Sequence, residues 1–160
     1  VKIQYLWVIF TCMSFVAQAQ QAKEEQAIDK VLSEFHQAAA DANAKIYLNL
    51  LTDDAIFLGT DATERWTKTQ FTDFVLPYFN QGKGWVYVAK ERNVSLLNQY
   101  KVAFFDEVLE NKKYGYCRGS GVLVQTEQGW KISQYNLTFL VPNDIAEQVA
   151  ETIQTYKKTQ

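Results

Sequence analysis

Histidine is almost missing from this chain of 160 residues, where His36 stands alone. One imidazole cannot form a clustered histidine metal site, and no histidine–carboxylate ligand set accompanies it, so no metal is expected. Cysteine is nearly as scarce, with only Cys12 and Cys117. Cys12 falls in a leader expected to be removed, which leaves Cys117 without a disulfide partner. A nucleophilic Cys117 would need a base within hydrogen-bond reach, and no spacing brings His36 to it. It reads instead as a small buried strand residue. Basic charge is not in excess: 16 Lys and Arg against 18 Asp and Glu give a net charge of −2. A nucleic-acid partner is therefore not expected. There is no phosphate-binding glycine loop and no nucleotide or flavin motif, so no cofactor is expected. Repeats, linkers and low-complexity segments are also lacking, which points to one domain.

What is present is apolar and aromatic. Apolar residues make up 48% and charged residues 21%, the balance of a globular domain long enough to bury a core. Aromatics reach 14%, enough to pack a core or line a cavity. Residues 1–19 read as a signal peptide: Lys2 supplies the positive start, Ile3–Val16 an interrupted apolar run, and Ala17-Gln18-Ala19 a small-x-small cleavage site. The run is too short and broken for a comfortable transmembrane helix, and no second one follows. The expectation is cleavage after Ala19, leaving residues 20–160 as a periplasmic or secreted domain with no stable membrane span. A retained anchor or a lipidated Cys12 is the alternative.

From Gln21 to about Ala42, apolar residues Ala27, Ile28, Val31, Leu32, Phe35, Ala38 and Ala39 recur at helical spacing. A short helix follows from Lys45 to Leu51, with Asn43 as cap. Ala55–Leu58 reads as a strand and Gly59–Trp66 as a loop. Thr67-Lys68-Thr69-Gln70 has capping-box spacing before a third helix that Pro77 bends or ends. Beyond Gly82 and Gly84 the period becomes two: strands are expected from Trp85 to Leu97, from Lys101 to Leu109, and in a hairpin from Tyr114 to Phe139 around Glu127-Gln128-Gly129. A terminal helix runs from Ile145 to about Lys158. Successive strands without crossover helices imply an antiparallel sheet, and helices grouped before it imply α+β architecture. Curved and covered by the N-terminal helices, such a sheet forms a cone with an apolar interior.

The hairpin carries the candidate binding residues. Parity puts Tyr116, Arg118, Ser120 and Val122 on one face, with Gln134, Asn136 and Thr138 on one face of the partner strand. These are assigned to the concave side. Cys117, Gly119, Gly121, Tyr135, Leu137 and Phe139 are assigned to the convex side, where a second copy could pack. A buried Arg118 needs a partner, and Asp106 or Glu107 on the preceding strand can supply one. The arginine is then either a structural ion pair or a cation aimed at a ligand. Trp66 and Trp85 are expected to line the entrance of the pocket, and Phe57, with Tyr47, Phe71 and Phe79, to form its apolar walls or plain core. Asp61 and Glu64 read as solvated residues of the mouth loop, and His36 as a packed helix residue.

Taken together, Phe35-His36-Gln37-Ala38-Ala39-Ala40, the block Phe57–Trp66, Tyr78-Phe79 with Gly82–Trp85, Phe105-Asp106-Glu107, Cys117–Leu123, and Gly129–Asn136 resemble the SnoaL-like branch of the nuclear transport factor 2-like superfamily. The resemblance covers about Lys23 to Val149. It implies a cone-shaped α+β barrel and often a homodimer through the outer face of the sheet. Ketosteroid isomerases, polyketide cyclases, dehydratases and non-catalytic association domains share that superfamily, so the fold does not choose among them. Where other members carry histidines on the last strand, this chain has Gln134 and Asn136, which exchange no protons near neutral pH. That favours recognition of a small, partly apolar molecule. The alternatives are an isomerase, cyclase or dehydratase, and an association domain whose cone is packed solid.

Overall fold

The computed structural model describes residues 2–97 and 101–159, with side chains described from Gln18 onward within those limits. Helices α1 (Lys2–Ala40) and α2 (Ala44–Asn49) precede strand β1 (Leu51–Leu58), the short strand β2 (Arg65–Thr67) and helix α3 (Lys68–Phe79). Then come β3 (Val88–Leu97), β4 (Val102–Asn111), β5 (Gly115–Thr126) and β6 (Gly129–Phe139), a single 3-10 turn, and α4 (Ala146–Lys158). The apolar run expected to form a leader continues α1 as helical backbone; its side chains up to Ala17 lie outside the described residues. Among the described residues no helix is long and apolar enough to cross a membrane.

The helix starts follow local chemistry. Asn43 caps α2 by accepting from the Ile46 amide at 3.2 Å. Thr67 and Gln70 close the expected capping box of α3 reciprocally. Pro77 is tolerated in the last turn, and the helix ends two residues on at Phe79.

The strands form one six-stranded sheet in the order β2-β1-β6-β5-β4-β3. All neighbours are antiparallel except β1 and β6, which pair in parallel. Directly opposed residues share a face. One row across the sheet therefore reads Val94–Phe105–Gly121–Tyr135–Phe57–Trp66, and the next reads Arg92–Glu107–Gly119–Leu137. These rows face the helices. Phe105, Tyr135 and Phe57 are buried with Ile28, Leu32 and Phe35 of α1 and with Phe71 and Val75 of α3. Phe35 stacks on Tyr47 with centroids 4.3 Å apart, and Phe57 on Phe71 at 3.9 Å.

The expected face assignment is thereby reversed. Cys117, Gly119, Gly121, Tyr135 and Leu137 point inward, while Tyr116, Arg118, Ser120, Gln134 and Asn136 lie on the outer face. The physical reason is ordinary partition: the apolar face goes to the helices, and Arg118 keeps water. The parity of β6 also changes partway. A register shift between Val122 and Leu123 leaves Ser133 as an extra residue, so Ile132 and Tyr135 are both buried although three apart. The two hairpin glycines, expected to let a second sheet approach, instead make room inside. A side chain at Gly119 would meet Tyr135 and Glu107, and one at Gly121 the Phe105 ring and the Gln134 backbone. Strand β2, read from sequence as loop, is three residues held by β1. Trp85–Tyr87, read as strand, is not strand; Gly84 packs on the end of α1, and the Trp85 amide donates to the Ala39 carbonyl at 3.2 Å.

Candidate functional site

A cleft of about 250 Å³ opens between α3, the Gly59–Glu64 loop and the inner face of the sheet. Its walls are rings. Phe74 stacks on Trp66 at 4.7 Å and lies 6.2 Å from Trp85, centroid to centroid, while Phe57, Tyr87 and Tyr114 complete the lining. Among the lining residues, Glu64 carries the one charged side chain. Inward the cleft narrows to a space of about 20 Å³, room for roughly one water molecule. Phe57, Trp85, Tyr87 and Leu137 border both spaces, and the inner one adds Tyr135 and His36.

Behind that floor lies Glu107, with none of its surface exposed. Its parity follows from β4: Phe105, Glu107 and Leu109 face in, while Phe104, Asp106 and Val108 face out. An ionised carboxylate has room for about four hydrogen bonds, and here they are filled. His36 Nε2 lies 2.6 Å from Oε1, and the Tyr135 hydroxyl donates to the same oxygen at 3.1 Å. Arg92 donates to Oε2 through Nε at 2.9 Å and approaches it through Nη2 at 2.8 Å. Through Nη1, Arg92 also donates to Asp29 Oδ1 at 2.6 Å, to the Asp29 carbonyl and to Ser33 Oγ, tying β3 to α1.

The electrostatics follow from these contacts. Burial pushes the Glu107 carboxyl up, but the hydrogen bond and charge of His36, then the Arg92 guanidinium, outweigh it and hold the group below the ordinary carboxylate range. Burial, reinforced by the Glu107 charge, drives the Tyr135 hydroxyl well above its usual value, so it remains a donor. Burial likewise raises the Tyr87 hydroxyl to about 12. A carboxylate whose lone pairs are taken up by His36, Tyr135 and the Arg92 guanidinium is a brace rather than a free base. His36 is the member of this cluster whose ring reaches the inner space together with Tyr135.

The residues singled out from sequence divide between two faces. Trp66, Trp85 and Phe57 line the cleft. Arg118, Asp106, Tyr116, Gln134 and Asn136 do not. They sit on the outer face of the sheet, which corrects their placement in the cone. Arg118 and Asn136 do lie on adjacent strands of one face, and Arg118 does pair with Asp106, at 3.0 Å, but that pair is about 40% exposed. Gln134 borders a shallow outer trough with Ile56, Leu58 and Arg65. Residues the sequence reading passed over are Arg92, Tyr87, Phe74 and Tyr114, together with the inward roles of Glu107 and Tyr135. Their one legible signal is the apolar pair flanking Glu107 at Phe105 and Leu109. Among the described residues no group of three or more His, Cys, Asp or Glu side chains is arranged to hold a metal ion.

A family model described as SnoaL-like domain matches residues 28–142. No protein of curated function matches the sequence. Similar solved structures include a candidate scytalone dehydratase from Novosphingobium aromaticivorans, with 11% identity and a TM-score of 0.66 over 78% of this chain and 89% of that one. An NTF2-like protein of unknown function from Pseudomonas putida aligns with 14% identity and a TM-score of 0.63 over 80% and 92%. A candidate calcium/calmodulin dependent protein kinase II association domain from Xanthomonas campestris aligns with 17% identity and a TM-score of 0.54 over 71% and 85%. At such identities these likenesses concern the fold alone.

Proposed function

The chain belongs to the SnoaL-like domain family, with the NTF2-like cone fold, and from that premise we propose that it binds a small, partly apolar molecule in the aromatic cleft. The observation that carries this reading is the division of the cone. Its floor is packed down to about 20 Å³, while its mouth keeps about 250 Å³ walled by rings. A cone filled solid would have favoured an association domain. A mouth of this size is smaller than a drug-sized pocket of roughly 300 Å³ or more, which suits a compact ligand. The ligand-facing residues are Trp66, Trp85 and Phe57, with Phe74, Tyr87 and Leu137, rather than Arg118 and its neighbours.

The test is native mass spectrometry of protein recovered from its own compartment, beside a Leu137→Trp variant that fills the junction of the two spaces. A small molecule retained by the wild type and lost by the folded variant supports the reading. A wild type that carries and takes up nothing sinks it and leaves association as the better account.

A second reading has one observation in its favour: the His36 ring reaches the inner space with Glu107 behind it. In an isomerase or dehydratase of this fold, His36 would move a proton there. The saturation of Glu107 by Arg92 and Tyr135 weighs against it. Conversion, rather than mere retention, of the recovered molecule, abolished by His36→Gln, would favour the enzyme.

Export and dimerisation belong to the same proposal. Gln18 to Lys23 are exposed, and the first described contact of α1 with the sheet is Glu24 accepting from Trp130 Nε1 at 2.9 Å. Of the segment that cleavage after Ala19 would remove, the described side chains, Gln18 and Ala19, are exposed. N-terminal sequencing of the exported protein should begin at Gln20; a mature chain retaining Trp7 would contradict it. A homodimer would form through the outer sheet face.

A further inference from the structure

We infer that the cleft selects a ligand bearing a positively charged, alkylated ammonium group, received by the Glu64 carboxylate and the faces of Trp66, Trp85 and Tyr87. The inference rests on the reading of the cleft as a ligand site and adds the charge of what enters it. Three features lead to it. The cleft wall contains one ionised group, Glu64, and no lysine, arginine or histidine. Glu64 has no ion-pair partner among the described residues; its one described side-chain hydrogen bond is from the Asp61 amide, which donates to Oε2 at 3.1 Å. The remaining wall is built of aromatic rings, whose faces carry the negative end of a quadrupole and attract cations.

The loop holds this carboxylate in place. The Gly59 amide donates to the Glu64 carbonyl at 2.8 Å and the Glu64 amide to the Asp61 carbonyl at 3.0 Å. Gly59 lacks the side chain that would collide with the Glu64 carboxylate, so the group lies over the loop at the cleft mouth. Its charge is felt within the cleft, since it is among the causes that raise the Tyr87 hydroxyl, after burial, Cys117 and Tyr114. Rings of this cleft are already used this way at the rim: Lys113 Nζ lies 4.8 Å from the centroid of Tyr114. Alkylation follows from the wall as well. A primary ammonium entering it would exchange three hydrated N–H groups for rings and lose hydrogen bonds. An alkylated ammonium has few or none to lose and presents apolar surface to the rings.

The test uses the full chain with three soluble probes that share a benzyl group: benzyltrimethylammonium, benzyl alcohol and benzylsulfonate. Binding is read by tryptophan emission and by amide shifts of the cleft residues. The wild type should bind the cation at least about tenfold more tightly than the alcohol, the scale of one well-placed cation–π contact, and the sulfonate least. Glu64→Gln keeps an acceptor oxygen for the Asp61 amide and removes only the charge. It should bring the cation close to parity with the alcohol while leaving the alcohol and the melting temperature unchanged. Asp61→Asn removes a loop charge outside the cleft wall and should leave the preference intact. Equal binding of cation and alcohol by the wild type, a preference for the sulfonate, or an Asp61→Asn effect as large as that of Glu64→Gln overturns the inference while the cleft remains a binding site. Failure of all three probes to bind overturns the cleft reading itself.

Discussion

Glu107 shows how much one buried carboxylate can organise. Its two oxygens gather a helix (His36), an edge strand (Arg92) and the last strand (Tyr135) onto β4, and Gly119 leaves the space in which they meet. Removing one partner of a buried, hydrogen-bonded pair strands the other, at a cost of about 3–5 kcal/mol. Glu107→Gln should therefore lower the unfolding free energy on that scale, measured by urea denaturation. The pH dependence has a definite sign. The folded carboxyl titrates below its unfolded value, so its contribution is present above the unfolded pKa of about 4.3 and is lost as pH falls through the folded one. As pH falls below about 4.3 the wild type should lose stability more steeply than Glu107→Gln; parallel losses there would contradict the assignment. The Arg118–Asp106 pair is the contrast. With both side chains about 40% exposed, screening limits it to under about 1 kcal/mol. Arg118→Met should leave the denaturation midpoint nearly unchanged and ligand affinity untouched.

At the scale of elements, local chemistry was readable wherever a signal lies within a few residues. Asn43, the Thr67–Gln70 box and the alternation along β4 place their elements closely. Two features needed the whole sheet. Strand β2 exists because β1 offers it an edge, and nothing in Arg65-Trp66-Thr67 announces it. The inner face of the hairpin depends on the extra residue at Ser133, which turns a parity argument around partway along β6. The walls at Trp66, Trp85 and Phe57 are legible as aromatics near a loop; the stripe from Arg118 to Asn136 does share one face, but which face the helices cover is decided by the partition of the whole sheet and not by parity within the hairpin. Helix α4 is a separate case. It buries no side chain, and Ile153 and Tyr156 remain exposed. Truncation after Pro142 should leave the melting temperature within about 2 °C of the full chain, since surface changes that lose no buried contact rarely exceed half a kcal/mol. A large drop, read by thermal circular dichroism, would mean that α4 packs on the domain or on a second copy.

At the scale of the whole molecule, the core cluster draws its helical residues from α1, α2 and α3, which pack on the inner face of the sheet. The outer face carries a central polar group, Asp106, Arg118, Ser120 and Asn136, among apolar residues with considerable exposure: Phe104 at 47%, Leu97 at 51% and Tyr116 at 56%. Exposed apolar side chains on either side of a polar centre give this face the composition that a second copy could cover. A second copy brought against it by a two-fold axis would meet the same residues in reverse, covering Phe104. This differs from a dimer seated on Tyr135 and Leu137, which are already taken by the core. Sedimentation at micromolar concentration should give twice the chain mass. Phe104→Glu places a carboxylate beside its symmetry mate and near Asp106, and should yield monomers that keep their circular dichroism spectrum. Because the cleft opens on the opposite face of the sheet, those monomers should bind the cleft ligand with unchanged affinity. A wild type that sediments as a monomer would remove the interface, and a Phe104→Glu monomer that loses the ligand would mean that the two faces are coupled through Phe105 and Glu107.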